Sequence, residues 1–335
     1  MAVDQQPAVA SIDVVRVSPA ADRAFRCGAA LFDRSDRGKL ALSGDAAAEC
    51  LNGQVTNDVT KIEPGCGQYA AFLTNKGAML GDVRIIRTAD TFELDTERIS
   101  LQALFDILRA GVLGHDAELH KRTIQRGLLS LVGPRARVIA HVEDLSNCEF
   151  KNAPFTVDGV AAHAILTEHG VDILCAAEDT AAITATLIAR GATAITEDEY
   201  EVARIGKGRP RYGVELDERT IPQEAGLNER AVSFTKGCYV GQETVARLFY
   251  RGNPNKALRG LRFADVPSGD GTVLLGEKAV GVVRRVAVSP KYGTVALALL
   301  RNAAEPGMTV ECGGQTAEVV ALPFARDERA AASCS

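Results

Sequence analysis

The chain has 335 residues, 46% of them hydrophobic and 24% charged, and a net charge of −5. That supports a sizeable core in two or three domains and gives no overall pull toward nucleic acid or an anionic membrane. No apolar run approaches the roughly 18 residues a membrane span needs, and residues 1–21 fit neither a secretory signal nor a transit peptide, so a cytoplasmic protein with no membrane partner is expected.

Residues 1–21 read as a flexible tail with one strand through 12–17. Residues 39–43 alternate as a strand, and Ser43 or Asp45 is placed to cap a short helix over 46–51. The stretch Asn52-Gly53-Gln54-Val55-Thr56-Asn57-Asp58-Val59 is a polar loop rich in side-chain hydrogen-bonding groups. Residues 68–74 and 79–87 read as strands around an Asn75-Lys76-Gly77 turn, and 91–95 as another strand. Leu101, Leu104, Phe105, Leu108 and Val112 then recur at helical spacing, ending at Gly114. The same order returns later: a strand over 171–175, then a helix marked by Ile183, Leu187 and Ile188 that stops at Gly191. This suggests two related α+β halves with a ligand site between them. Residues 208–228 are rich in Pro, Gly and charge and look irregular. After the boundary near Gly252-Asn253-Pro254-Asn255, short strands over 257–263, 272–275, 279–288, 294–300, 309–312 and 315–322 suggest a small closed or sandwiched β domain.

None of the eight cysteines forms a C-x-x-C pair, so free thiols in a reducing compartment are expected. The five histidines lie between positions 115 and 169, and none is paired with a cysteine at ligand spacing, so no structural zinc site is expected.

The most informative stretch is Lys236-Gly237-Cys238-Tyr239-Val240-Gly241-Gln242-Glu243. A helix is expected over 242–249, with Glu243 and Arg247 one turn apart. Cys238 would precede its N-terminus with Lys236 nearby, a setting that favours a reactive thiolate. A lone cysteine is, against that, more often a small buried hydrophobe. Between Arg230 and Arg259 there are six basic residues and one acid, Glu243. This is either a solvated face or a docking surface for a polyanion. With aromatic interleaving sparse, no nucleic-acid partner is expected.

The signature resembles the hallmark motif of the YgfZ-type family, related to iron–sulfur maturation factors, within the folate-binding superfamily of the glycine-cleavage T-protein. Leu31-Phe32-Asp33-Arg34-Ser35, Gln54-Val55-Thr56-Asn57-Asp58, Ala71-Phe72-Leu73-Thr74, Arg219-Thr220-Ile221-Pro222-Gln223-Glu224-Ala225-Gly226, Gly281-Val282-Val283 and Val295-Ala296-Leu297-Ala298 agree in order, so the similarity runs over about 24–324. The resemblance implies an α+β, three-lobed fold with a central tetrahydrofolate pocket. The implied domains are a tail over 1–21, a folate-binding region of two intertwined lobes over 22–252, a C-terminal β-barrel over 256–324, and a tail over 325–335. It implies a folate-dependent accessory factor in iron–sulfur cluster assembly or repair, with Cys238 as the working thiol and iron–sulfur client or assembly proteins as partners. The alternative is a tetrahydrofolate-dependent aminomethyl- or methyltransferase using Asp82, which aligns with the family's acidic residue after the glycine-rich turn. The family's pterin-binding glutamate falls on Gly206 in the run Arg204-Ile205-Gly206-Lys207-Gly208, so Glu201 or Glu224 would have to substitute. Cofactor contacts are expected from Asn57, Asp58, Asp82, Glu224, Lys236, Tyr239, Gln242 and Glu243, with Arg247 and Arg251 meeting the glutamate tail of tetrahydrofolate, polyglutamylated forms included. A monomer is expected.

Overall fold

A computed structural model describes residues 11–324, which divide into two compact units. The larger comprises Pro19–Thr196 and Asp217–Asn253. The smaller comprises the N-terminal stretch to Ser18, Glu197–Leu216, and the chain from Pro254 onward.

Two sheets build the larger unit, antiparallel throughout except where Thr193–Ala194 pairs in parallel with Ala30–Asp33. The first has five strands in the order Cys66–Leu73, Met79–Arg87, Thr91–Thr96, Gly38–Ser43, Glu118–Lys121. The hairpin between its first two strands turns at Gly77, whose φ is +82°. A Cβ there would sit 2.9 Å from Thr244 Cβ, so glycine serves both the left-handed backbone and the close approach. Successive side chains on a strand face opposite ways. Leu40, Leu42, Phe72, Val83, Ile85 and Leu94 therefore share one face, which packs on the helix Leu101–Gly111 through Leu101, Leu104 and Leu108.

The second sheet has six strands, ordered Thr193–Ala194, Ala30–Asp33, Arg126–Val132, Gly170–Ala176, Val160–Thr167, Asn152–Val157. Leu129, Leu131, Val171 and Ile173 pack on the helices Ala136–Ala140 and Thr180–Ala189 through Ile139, Ala140, Ile183 and Leu187. Each strand-then-helix unit seen in the sequence thus covers its own sheet. The opposite faces of the two sheets meet through Ile86, Leu128, Ile165 and Leu174, with Tyr69 against them.

In the smaller unit, an eight-stranded sheet runs from Asp13–Arg16 through Arg285–Ser289, Gly293–Arg301, Lys256–Phe263, Gln315–Val320, Thr309–Cys312 and Thr272–Leu275 to Lys278–Val282. No ladder joins its two edge strands among the described residues. The expected barrel is therefore an open sheet, curled enough that Gly281 lies against Leu299 and Leu300. The single strand expected over 279–288 is two, because Val283 leaves the ladder, buries its side chain and donates its N–H to Gly271 O at 2.7 Å.

Three further expectations differ. The strand expected through 12–17 is the parallel sheet strand Asp13–Arg16, but the rest of the stretch to residue 21, expected as a flexible tail, enters the helix Pro19–Cys27. Segment 197–216, expected inside the folate-binding region, belongs to the smaller unit through the helix Glu197–Gly206. The helix Ala47–Asn52 has Ala46 at its N-cap and no side-chain cap bond, so neither Ser43 nor Asp45 caps it. The C-terminal tail lies outside the described residues. No helix of the described residues is long and apolar enough to cross a membrane.

Candidate functional site

The face of the five-stranded sheet that looks toward the six-stranded one carries charge. Asp82, Arg84 and Ile86 alternate with Val83 and Ile85 on one strand, and Glu93 and Asp95 with Phe92 and Leu94 on the next. Buried charges need partners, and here they form a network. Arg37 binds Asp95 at 2.7 Å and also pairs with Glu97. Arg84 pairs with both Asp95 and Asp172, tying the two sheets together, and Ser130 Oγ donates to Asp172 Oδ1 at 2.6 Å. Burial works against ionisation of Asp95, but Arg37 and Arg84 hold its carboxyl well below the usual range.

Asp82 stands apart in this network. It is 7% exposed and accepts a hydrogen bond from the Tyr69 hydroxyl. Burial, and then the negative charge of Glu97, raise its pKa against the opposing pull of Tyr69 and Arg37. Burial and Asp82 push the Tyr69 phenol well above its ordinary value. The Arg230 guanidinium lies 5.3 Å from the Tyr69 ring centre and pairs with Glu149. Two residues before Arg230, Asn228 Oδ1 is buried with no hydrogen-bond partner among the described residues. The Asp82–Tyr69 pair can hold or exchange a proton, and Asn228 offers a vacant acceptor on the helix that carries Arg230.

The other sequence-selected residues divide between loop construction and open surface. Asn57 donates to the carbonyls of Tyr69 and Arg230 and accepts from the N–H of Asp58, so its amide is engaged within the chain. Asp58 caps the short helix Val59–Lys61, accepting from Thr60 N and Oγ1 and pairing with Lys61 at 2.8 Å. Those bonds lower its pKa. Glu224 is buried and accepts from Ile221 N.

Lys236 is buried, and its ammonium donates to the carbonyls of Asn52, Val55 and Asn57 at 2.6, 2.8 and 2.8 Å. Burial lowers its pKa to about 8. Its three donors clamp the 52–57 loop; they are not held free for the neighbouring thiol. Tyr239 is buried beneath the ammonium, and burial raises its hydroxyl to about 12.

The helix Gln242–Arg251 starts where expected, but its N-cap is Gly241, in the left-handed conformation at φ +83°, three residues beyond Cys238. Cys238 is exposed on the preceding loop, and nothing lies within 4 Å of a Cβ built on Gly237. Gln242 is half-buried, and Glu243, Arg247 and Arg251 are exposed. The described residues contain no Glu243–Arg247 ion pair at the expected one-turn spacing. Among the described residues six cysteines are free thiols, while Cys27 is disulfide-bonded, which corrects the expectation of free thiols throughout.

Gly206 belongs to the smaller unit, where a Cβ would stand 2.4 Å from the Tyr292 ring. Glu201 is fully buried among Arg204, Arg211 and Arg285, which overcome burial and bring its pKa down to about 2, so it is tied into that unit's own ion network.

Residues 16–236, holding both sheets and the Asp82–Tyr69 pair, match the family described as GCVT N-terminal domain. The chain belongs to that family. An aminomethyltransferase of Listeria welshimeri is 27% identical over 319 residues, covering 90% of this chain and 88% of its own. One from Streptomyces coelicolor is 28% identical over 331 residues, covering 91% and 89%. The crystal structure of glycine cleavage system aminomethyltransferase T from Bartonella henselae superposes with a TM-score of 0.80 at 22% identity, covering 92% of this chain and 91% of its own. The fold is therefore the mixed α/β fold of this family.

Residues missed by the sequence reading are Tyr69, Arg37, Arg84, Asp95, Glu97, Asp172 and Arg230. Polar residues alternating with apolar ones on 79–87 and 91–96 were the available signal. Alternation normally marks a solvent face, whereas here that face is covered by a second sheet.

Proposed function

We propose that this chain is a tetrahydrofolate-binding member of the T-protein superfamily. Its role is that of a YgfZ-type accessory factor in iron–sulfur cluster assembly or repair, with Cys238 as the working thiol and iron–sulfur client or assembly proteins as partners. The observation that carries the reading is the exposed Cys238 in Lys-Gly-Cys-Tyr-Val-Gly-Gln-Glu, on a loop whose base is pinned by the Lys236 clamp. The folate half is supported by Asp82 and the unpartnered Asn228 Oδ1, acceptors suited to the pterin ring N–H and amino group. Arg247 and Arg251, exposed and one helical turn apart, suit the glutamate tail, so binding weakens as salt rises and polyglutamyl forms bind more tightly. Calorimetric titration with mono- and polyglutamyl tetrahydrofolate at low and high salt tests this half, and no heat and no thermal shift with either ligand refutes it. Iron–sulfur enzyme activities in a deletion strain, complemented with wild type or Cys238→Ser, test the other half. Full rescue by Cys238→Ser removes the thiol from the function.

A second reading is an aminomethyl- or methyltransferase, and the buried Asp82–Tyr69 pair favours it. Against it, Gly206 replaces the glutamate that the resemblance assigns to the pterin, and Tyr292 fills the space beside it. Little or no aminomethyl transfer with glycine-cleavage partners is expected, and turnover comparable to that of a T-protein would establish the second reading.

A further inference from the structure

Beyond the apolar layer of Ile86, Leu128 and Leu174, the two sheets of the larger unit part to form a cleft of about 360 Å³. On the five-stranded sheet the order along one face is Asp82, Arg84, Ile86, and Glu93 pairs with Ile86 in register. The cleft therefore lies past the apolar layer from the Asp82–Tyr69 pair.

Glu93, Arg122, Arg126 and His163 line it, over a floor of Ala162 and Leu174. The charges are incompletely matched. The nearest cation to Glu93 is Arg126 at 3.7 Å, beyond hydrogen-bond range, and Glu93 accepts no hydrogen bond among the described residues. Arg122 makes no side-chain hydrogen bond or ion pair among them. Burial raises the Glu93 pKa, and the charges of Arg126, its ion-pair partner, and Arg122 oppose the rise. Burial, then Arg126, disfavours the charged form of His163, and its Nε2 is hydrogen-bonded to Asn152 Oδ1 at 2.7 Å.

An anion alone would meet Glu93, and a cation alone would meet two arginines. A ligand carrying one carboxylate and one ammonium satisfies all three side chains. Ala162 and Leu174 leave an apolar wall for a small side chain. We infer that this cleft is a binding site for a free α-amino acid, its carboxylate held by Arg122 and Arg126 and its ammonium by Glu93. The site does not depend on folate binding.

The test is calorimetry on the full chain with alanine, serine and glutamate, beside propionate, ethylamine and inorganic phosphate. At least one amino acid should bind saturably, and propionate, ethylamine and phosphate more weakly. Arg122→Ala, at a half-exposed position, and the isosteric Glu93→Gln should each weaken amino-acid binding about ten- to a hundredfold while leaving tetrahydrofolate titrations and the melting curve as in wild type. The inference is overturned if none of the three amino acids saturates, if propionate or phosphate binds as tightly as they do, or if folded Arg122→Ala binds them like wild type.

Discussion

Replacing Lys236 with methionine separates a clamp from a ligand contact. The side chain keeps its approximate length and loses its ammonium, so the carbonyls of Asn52, Val55 and Asn57 lose donors at 2.6–2.8 Å. Hydrogen bonds to a charged donor contribute about 1.5–3 kcal/mol each, and a buried acceptor left unpaired costs about 1–3 kcal/mol. Part of this is returned, because methionine carries no desolvation penalty and water reaches some of the freed carbonyls. A net loss of about 2–4 kcal/mol is expected. Chemical denaturation measures the loss, and amide exchange over residues 52–58 locates it.

The same residue gives a pH signature. Its folded pKa of about 8 lies below the ordinary 10.5, so between those values the unfolded chain holds a proton that the folded chain has released. Wild-type stability should therefore rise with pH across that window, and Lys236→Met should flatten the rise. A stability change below about 0.5 kcal/mol would refute the clamp, since that is the ordinary scatter of surface substitutions. If tetrahydrofolate binding also vanished, Lys236 would be a ligand contact.

Asp82 has a folded pKa above its ordinary 3.8, so its contribution to stability is greatest in acid and falls as pH rises through 3.8 to the folded value. Melting temperatures across pH should show Asp82→Asn gaining on wild type over that interval, and parallel curves would contradict the raised pKa. Gly206→Ala places a methyl 2.4 Å from Tyr292 and should cost about 1–3 kcal/mol by overpacking, read from urea midpoints; an unchanged midpoint would mean the ring gives way freely. In alkylation mapped by mass spectrometry, exposed Cys238 and Cys148 should label first, and buried Cys50, Cys175 and Cys312, whose pKa values burial raises, last. Cys238 labelling no faster than Cys148 would leave its motif without an activating effect.

Local pattern determined much of this protein. Apolar spacing at Leu101, Leu104 and Leu108 marks a helix because one face must meet a core, and the structure has Leu101–Gly111 there. The Gly77 turn, the helix from Gln242 and the change to short strands after Pro254 were readable for equally local reasons of backbone freedom, periodicity and breakers. Strands Arg126–Val132, Asn152–Val157 and Val160–Thr167 were missed. Two of them carry near-continuous apolar runs, whose period does not distinguish strand from helix. The site depended still more on tertiary structure. Whether Lys236 faces a ligand or three carbonyls, and whether Asp58 binds a pterin or caps a turn, depends on what the chain brings opposite them. Tyr69 and Asp82, thirteen residues apart, meet through hairpin register. Arg84 meets Asp172 only because two sheets formed from distant segments turn their charged faces inward, and with burial common to Asp82 and Asp95 it is the neighbouring charges that move their pKa values in opposite directions.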